Sequence, residues 1–373
     1  MKKTYDVIVV GAGIAGCSSA YFLHQKGLKV LVIDRSGVAA AGGSSAAGAF
    51  VSPKIGKGSP LQQLTNEAFA FAKDFYRQHF SNHFHQTGVI RIPKDSMDAK
   101  KFSDYAPHNE ASWRWVSPKE LDALGIKEEQ ESFMFDEAGV CDAPAMCTAM
   151  LSGIEYEQYE LSTLNYEAGC WHVGEYCATR LLLATGYENR YFDMRYMGVK
   201  GTWGSRGDYE STLVLPHSMH KQISVSANIN GIIKIGATHD KDVDICIKCD
   251  GEPLKQLFET ASEMVDTGDF KLKETFCGMR SGSKDYFPLV GGVVDTHYML
   301  ETYPKILKGA KPPLKKIENL YICNGLGGRG FVFGPMMGKM LAEHIVEGKA
   351  IDERVNPDRL FLKWCRKSPE LER

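Results

Sequence analysis

Three stretches of this 373-residue chain carry residue types and spacings that could do chemistry. The first is Gly11-Ala-Gly-Ile-Ala-Gly16, preceded by an apolar run at 7–10 and followed by a helical stretch, a second apolar run at 30–33 and then Asp34-Arg35. That order is a dinucleotide-binding βαβ unit: Gly11 permits the tight turn, Gly13 lets backbone approach a pyrophosphate, and Gly16 lets the helix pack on the strand. The start of the helix, Ile14 and Ala15, then faces the phosphates. Asp34 lies about 20 residues downstream, where a carboxylate accepts hydrogen bonds from ribose hydroxyls.

The second stretch is Asn319-Leu-Tyr-Ile-Cys-Asn-Gly-Leu-Gly-Gly-Arg-Gly330, a strand entering a second glycine-rich loop, with a helix expected at 335–348. A chain with such a loop near each end wraps a long cofactor between them. Backbone N–H groups and a positive dipole end after Gly330 would stabilise negative charge on a reduced isoalloxazine ring, which favours a flavin over a nicotinamide. The third stretch runs from Met279-Arg280 through Ser-Gly-Ser-Lys-Asp-Tyr-Phe-Pro-Leu-Val to Gly291. Here an arginine leaves a strand just before glycine and a turn. A permanently charged guanidinium in that place can grip a carboxylate with two parallel hydrogen bonds; a surface or structural arginine is the plainer alternative.

The ten cysteines form no regular framework, and Cys17, Cys147 and Cys323 sit in apolar stretches, so reduced thiols are expected. Cys246-Ile-Lys-Cys249 is a single CxxC with no second pair, read as two thiols on one side of an exposed strand, with zinc or redox chemistry as the alternative. No metal site is expected.

These groups need a scaffold to position them. The chain is long enough for two domains, since a single core stops growing near ~250–300 residues. Residues 39–48 are mostly small, which lets backbone lie against a flat ring. An amphipathic helix is expected at 61–80, a strand at 88–93, and a short helix after Ser117-Pro118-Lys119-Glu120, which has capping-box spacing. A further helix is read near 142–151, strands at 166–186 ending in Ala-Thr-Gly186, a strand at 232–238 and a helix at 253–266. The expected fold is α/β (α+β overall): a Rossmann-like domain, discontinuous in sequence (1–83, 136–197 and 277–373), with a second, mostly antiparallel β substrate domain (84–135 and 198–276).

Composition excludes some classes. Hydrophobic residues are 43% of the chain, and no apolar run approaches the ~20 residues that span a bilayer. The start, Met-Lys-Lys-Thr-Tyr-Asp, leads straight into the first strand rather than a cleavable signal, so a cytoplasmic location and no membrane partner are expected. Net charge is −2 but uneven: residues 301–373 hold 14 Lys/Arg against 9 Asp/Glu, a net +5, leaving 30 against 37, a net −7, for residues 1–300. Lys305, Lys308, Lys311, Lys315 and Lys316 form a basic stretch without an acid, either a solvated loop or a patch that contacts phosphates.

With these residues the chain resembles, over its whole length, the D-amino-acid oxidase and glycine oxidase group of FAD-dependent amine oxidoreductases. Gly11 to Gly16 with Asp34-Arg35 match its ADP-binding element, and Gly43-Ser44-Ser45-Ala-Ala47-Gly48 its flavin-contacting loop. Leu183-Ala-Thr-Gly186, Val199-Lys-Gly201, Gly236-Ala-Thr238 and the loop with Gly325, Gly327, Gly328, Arg329 and Gly330 follow in the same order. Arg280 matches the position that holds the substrate carboxylate. Within the group, Arg280 with Asp285 and Pro288-Leu-Val-Gly291, Pro335, and Asn356-Pro-Asp-Arg-Leu360 are similar to the oxidoreductase half of the bifunctional enzymes of tRNA 5-methylaminomethyl-2-thiouridine biosynthesis. Lys284 stands where those enzymes usually have a second arginine, and Gly328 where they usually have serine.

The resemblance implies an FAD enzyme, with FAD held non-covalently although Cys277 lies near Arg280. It implies oxidation of the glycine-like C–N group of carboxymethylaminomethyl-uridine in tRNA, releasing glyoxylate and leaving aminomethyl-uridine. Dioxygen would be the electron acceptor, tRNA would meet the basic stretch at 305–316 and terminal Lys363, Arg366 and Lys367, and any later methylation would need a separate methyltransferase. The competing expectation is an FAD-dependent oxidase of a free small amino acid such as glycine, sarcosine or a D-amino acid. A flavin-bound scaffold or redox sensor without turnover is a third.

Overall fold

The computed structural model describes residues 3–188, 190–241, 249, 251–368 and 371. Cys246 lies outside the described residues. The elements that position the site are, in chain order, β1 (Lys3–Val10), α1 (Ile14–Gln25), β2 (Val30–Asp34), α2 (Pro60–His79), β3 (Val89–Arg91), β4 (Tyr176–Leu183), β5 (Lys200–Glu210), β6 (Ser218–His220), β7 (Ile232–Gly236), β8 (Lys271–Gly282), β9 (Leu289–Val294), β10 (Lys316–Asn324), α3 (Gly330–Glu347) and α4 (Asp358–Lys367).

β1 is the centre of the first sheet, parallel to β2 on one side and to β4 on the other, and β4 in turn pairs in parallel with β10. Its apolar run is buried on both faces, as a parallel strand covered by helices must be. Val7 and Val9 pack into a core with α1, α2 and α3, whereas Ile8 and Val10 pack into a second core with Phe361 and Trp364 of α4. Because β1, β4 and β10 run the same way, Gly11, Gly186 and Gly325 all follow the carboxyl ends of this sheet, the edge at which open α/β sheets bind ligands.

The helix after the second glycine loop starts earlier than its proline suggests. α3 begins at Gly330, so Pro335 is inside it. Proline has no N–H to give the carbonyl of Phe331 four residues back; the buried Tyr76 hydroxyl of α2 donates to that oxygen instead, at 2.8 Å. α3 also presents Gly330, Gly334 and Gly338 at four-residue spacing to α1. A Cβ at these positions would lie 2.8 Å from Ile14 Cγ2, 2.9 Å from Ile14 Cγ1 and 2.7 Å from the Ser18 carbonyl carbon. The two helices therefore meet backbone to backbone, which sets their N-termini side by side.

The second sheet is built around β8–β5–β7 and β6–β3 and is antiparallel except for the pairing of β6 with β3. One face covers a third core of Ile90, Met219, Ile233 and Ile235 under the helix Glu252–Ser262. The other face turns toward the first sheet. β8 runs unbroken through position 277, so the expected domain break there falls within a strand. The expectation of reduced thiols also needs correcting: the chain brings residue 249 beside β8, and Cys249 and Cys277 form a disulfide with Cα atoms 5.5 Å apart. Cys17, Cys141, Cys147, Cys170, Cys177, Cys323 and Cys365 are free thiols. No helix among the described residues is long and apolar enough to cross a membrane.

Candidate active site

The first glycine loop is held by contacts that leave no room for side chains. Gly11 has a φ of +107°, which favours glycine, and a Cβ there would collide with the Ala184 carbonyl; a Cβ on Gly16 would collide with Gly11 itself. Gly13 is different, because the nearest atom to a Cβ is Ser44 Oγ at 3.3 Å, and it caps α1 with no capping side chain of its own. The Ile14 N–H at the first turn donates to Ser44 Oγ at 3.0 Å, and Ala15 follows on the same turn. Asp34 accepts from the Ala12 N–H at 2.7 Å and from the Ser36 N–H at 2.8 Å, so it braces the loop while each oxygen keeps a lone pair for a ribose hydroxyl. Arg35 is exposed and paired with Glu188 at 2.7 Å. These features fit a dinucleotide with its pyrophosphate at the start of α1.

The loop of small residues lies on the strand that carries Arg280. A Cβ on Gly43 would be 2.5 Å from the Met279 carbonyl oxygen, and one on Gly278 would be 2.9 Å from the Gly42 carbonyl oxygen. Sequence reading missed the residue that fixes this loop. Arg206, 2% exposed, donates to the carbonyls of Ser45 (2.8 Å) and Ala47 and makes a two-toothed pair with Asp208, Nε–Oδ1 2.7 Å and Nη2–Oδ2 3.1 Å. Its only trace in the sequence is Arg and Asp two apart on a strand, hence on one face. Gly48, the end of the loop, abuts the Phe50 ring.

Asn324, 3% exposed at the end of β10, was also missed. Its Nδ2 donates to the Gly186 carbonyl (2.6 Å), and its Oδ1 accepts from Ser281 Oγ (2.8 Å) and the Gly325 N–H (2.8 Å). One side chain thus ties β4, β8 and the second glycine loop together. Gly327, Gly328 and Arg329 then form a single 3-10 turn leading into α3 at Gly330, and Arg329 Nη1 donates to the Ser52 carbonyl at 3.2 Å.

Arg280 sits on β8 opposite Thr202 of β5. Its Nη1 donates to the Thr238 carbonyl at 3.0 Å, and Thr238 Oγ1 donates to Asp240 at 2.7 Å. Burial pulls the Arg280 pKa down and nearby Asp240 partly offsets this. Among the described residues no carboxylate lies within 4.0 Å of its guanidinium. A Cβ on Gly328 would be 3.9 Å from Arg280 Cδ, so the second glycine loop adjoins the arginine. A partly buried guanidinium between two glycine loops, with one backbone partner, has donors left over with which it can bind an anion such as a carboxylate.

Asp285 pairs with Arg359 of the terminal motif, at 2.9 Å through both nitrogens, and anchors α4 to the turn after β8. The basic stretch is remote. Lys315 and Lys316 lie at the start of β10 and Asn324 at its end, a separation of about 26 Å at ~3.3 Å per residue. Lys316 is not a free cation, since it pairs with Asp358 and donates to the Gly292 carbonyl (3.1 Å). Lys305, Lys308, Lys311 and Lys315 are exposed, beside exposed Lys363, Arg366 and Lys367 of α4.

The profile of the FAD dependent oxidoreductase family, DAO, matches residues 6–344. The chain is 23% identical over 411 residues to the tRNA 5-methylaminomethyl-2-thiouridine biosynthesis bifunctional protein MnmC of Legionella pneumophila (strain Lens), covering 99% of this chain and 59% of that protein. It is 26% identical over 361 residues to the protein of the same name from Dichelobacter nodosus, covering 91% and 54%. The chain therefore spans less than two thirds of the length of these relatives. Among solved structures it superposes on glycine oxidase from Bacillus cereus ATCC 14579 with a TM-score of 0.76, 19% identity and coverage of 93% of this chain and 96% of that one. Iminodiacetate oxidase from Chelativorans sp. BNC1 gives 0.76, 18%, 94% and 98%. These two likenesses show a shared fold.

Proposed function

The chain belongs to the DAO family of FAD dependent oxidoreductases, and from that premise we propose that it oxidises the C–N bond of an N-substituted glycine whose carboxylate is held by Arg280. The observation that carries this reading is the Arg280 guanidinium itself: partly buried, steered by the Thr238 carbonyl, and without a carboxylate of the chain among the described residues. The loops at 11–16, 43–48 and 325–330 would hold FAD, which when bound supplies the acceptor for the hydride, and with it the two electrons, leaving the substrate Cα. The disulfide at Cys277 supports non-covalent attachment, because that sulfur is already bonded to Cys249.

The protein's own contribution is placement. Arg280 fixes the carboxylate and Gly204 leaves space for the guanidinium, so the Cα–H is presented to the cofactor loops from one side. Orientation of this kind is worth several kcal/mol of barrier, and no dedicated protein base is required once the amine binds neutral. Loss of the hydride and the amine proton leaves an imine; water cleaves it to glyoxylate and the free amine, and dioxygen takes the two electrons to give hydrogen peroxide.

We assign the substrate as carboxymethylaminomethyl-uridine in tRNA, product aminomethyl-uridine. This rests on the resemblance to MnmC proteins, named for tRNA modification, over nearly all of this chain. The second reading, oxidation of a free small amino acid such as glycine, sarcosine or a D-amino acid, is favoured by one observation: the end of the basic stretch, Lys315-Lys316, lies at the start of β10, whereas Asn324, bonded to Ser281 beside Arg280, lies at its end. Nucleoside mass spectrometry of tRNA from cells lacking the protein decides between them. Accumulated carboxymethylaminomethyl-uridine supports the tRNA substrate; an unchanged profile, with flavin bleached anaerobically by sarcosine, leaves the free amino acid. A flavin that no N-substituted glycine bleaches would leave only a non-catalytic flavoprotein.

A further inference from the structure

The sheet that carries Arg280 presents more positive charge to the cleft than one carboxylate needs. Strand alternation fixes which side chains are involved. Ile90 and Met219 lie in the third core, so Arg91 of β3 and His220 of β6 point the other way, as does Val89, which belongs to the core of the first sheet. β3 and β6 pair in parallel with Arg91 directly beside His220. Arg329 of the second glycine loop, within electrostatic reach of both Arg91 and His220, donates to the Ser52 carbonyl, and Lys54 is two residues further along that segment. All four side chains are partly buried.

These groups sense one another. Burial, with the Arg329 charge adding to it, pulls Arg91 down to about 9, and burial pulls Arg329 down to about 10. Burial followed by Arg329 and Arg91 lowers Lys54, and burial followed by the same two arginines holds His220 well below the usual imidazole value. Asp98 lies within electrostatic reach of Arg91 and offsets part of its shift, but no carboxylate lies within 4.0 Å of the side chains of Lys54, Arg91 or Arg329 among the described residues, and the Arg91 guanidinium has no hydrogen-bond acceptor there. The other cations on this face are better compensated: Arg206 is ion-paired with Asp208 at 2.7 Å, and Lys234 has two carboxylates, Asp208 and Asp142, within electrostatic reach where Arg91 has one. Like charges gathered out of bulk water repel and lose solvation, a cost that an anion would remove. The cluster adjoins the anchor, since Arg329 follows Gly328 in the turn against Arg280, and His239 lies within electrostatic reach of both Arg280 and His220.

We propose that Lys54, Arg91 and Arg329, with His220 beside them, form a second anion-binding subsite that takes a carboxylate or phosphate on a substrate whose first carboxylate Arg280 holds. The inference rests on the Arg280 reading above but not on the identity of the substrate. It makes the enzyme selective for dianionic N-substituted glycines. Arg91 and Lys54 are the specificity-determining residues, because Arg329 also serves the cofactor loop.

The test uses the FAD-loaded enzyme and ligands that cannot be oxidised. Methoxyacetate and oxydiacetate are the ether counterparts of sarcosine and iminodiacetate, and their Kd values are read from the shift in visible flavin absorption. Oxydiacetate is expected to bind at least tenfold more tightly in the wild type, with the ratio falling to about 1 in Arg91→Gln and largely kept in Arg91→Lys. Carboxymethylaminomethyl-uridine and its 5′-monophosphate form the second arm, read anaerobically with wild type and Arg91→Gln. A gain from the phosphate alone, lost in Arg91→Gln, identifies a nucleotide phosphate as the anion; a gain from oxydiacetate alone identifies a carboxylate. Wild-type ratios near 1 in both arms, or ratios that Arg91→Gln leaves intact, overturn the subsite. Inorganic phosphate separates this failure from failure of the anchor: it should raise the Tm of wild type and of Arg280→Gln, but not that of Arg91→Gln. If methoxyacetate binds Arg280→Gln as it binds wild type, the anchor reading fails while the phosphate result still judges the subsite.

Discussion

Gly204 lies directly beneath Arg280: a Cβ there would stand 2.6 Å from the guanidinium carbon and 2.9 Å from the Thr238 carbonyl oxygen that orients it. The strand opposite the anchor has to be bare at this one position, because β5 and β8 are hydrogen-bonded neighbours and neither backbone can retreat. Gly204→Ala should therefore displace the guanidinium by about 1 Å without touching the cofactor loops. Misplacement on that scale costs ~100-fold in rate. Anaerobic flavin reduction by sarcosine measures it, and a wild-type rate would mean Arg280 does not set the substrate's position.

Arg280→Ala should keep the yellow flavin and lose amine oxidation. Removing one partner of a charge-assisted pair in a dry site costs ~2–5 kcal/mol, roughly 30- to 5000-fold in kcat/KM. Arg280→Lys should recover only part of this, since an ammonium cannot make two parallel bonds. Steady-state peroxide release for the three proteins gives the comparison; equal values would place the anchor elsewhere.

Tyr76→Phe should destabilise the fold, because Pro335 cannot serve the Phe331 carbonyl that the hydroxyl satisfies. A buried acceptor left without a donor costs ~1–3 kcal/mol. Chemical denaturation of the FAD-loaded protein should show a lower midpoint with an unchanged slope. No change in midpoint would show that the carbonyl finds another donor.

His220 gives stability a pH dependence. Its folded-state pKa lies below that of the unfolded chain, owing to burial first and then Arg91 and Arg329. The unfolded state thus binds more protons once pH falls below ~6.5, and stability declines from there downward, by at most about 1.4 kcal/mol per pH unit from this group. Tm should fall less between pH 7.5 and 5.5 in His220→Gln than in the wild type. Parallel losses in the two proteins would assign the acid sensitivity to other groups.

The exposed lysines are a separate question from the chemistry. With Lys316 committed to Asp358, the relevant variant replaces Lys305, Lys308, Lys311 and Lys315 with Gln. If tRNA rests on this face, log Kd against log salt should be shallower in the variant by somewhat under ~1 per lost phosphate contact. Identical slopes would make these four an ordinary solvated surface.

Several features were legible in the chain because they are local. The spacing of Gly11, Gly13 and Gly16 between two apolar runs specifies a βαβ turn whatever surrounds it, and a glycine-rich loop before a helix repeats the logic at 325–330. The arginine at the end of a strand could be singled out for the same reason. What tertiary structure decided is everything that depends on pairing distant strands. Arg206 reads as one charge in a strand until β5 is laid beside the 45–47 loop; Asn324 reads as the residue before a glycine until three segments converge on it. Pro335 points to a helix start, yet the missing hydrogen bond is supplied by Tyr76, from a helix some 250 residues away in the chain. The cysteine pair and the separation of the basic stretch from Arg280 are likewise properties of distance in space. Periodicity and glycine spacing encode what a segment can form with its own neighbours, whereas the register between β5 and β8, and between β3 and β6, decides which charges share a cleft.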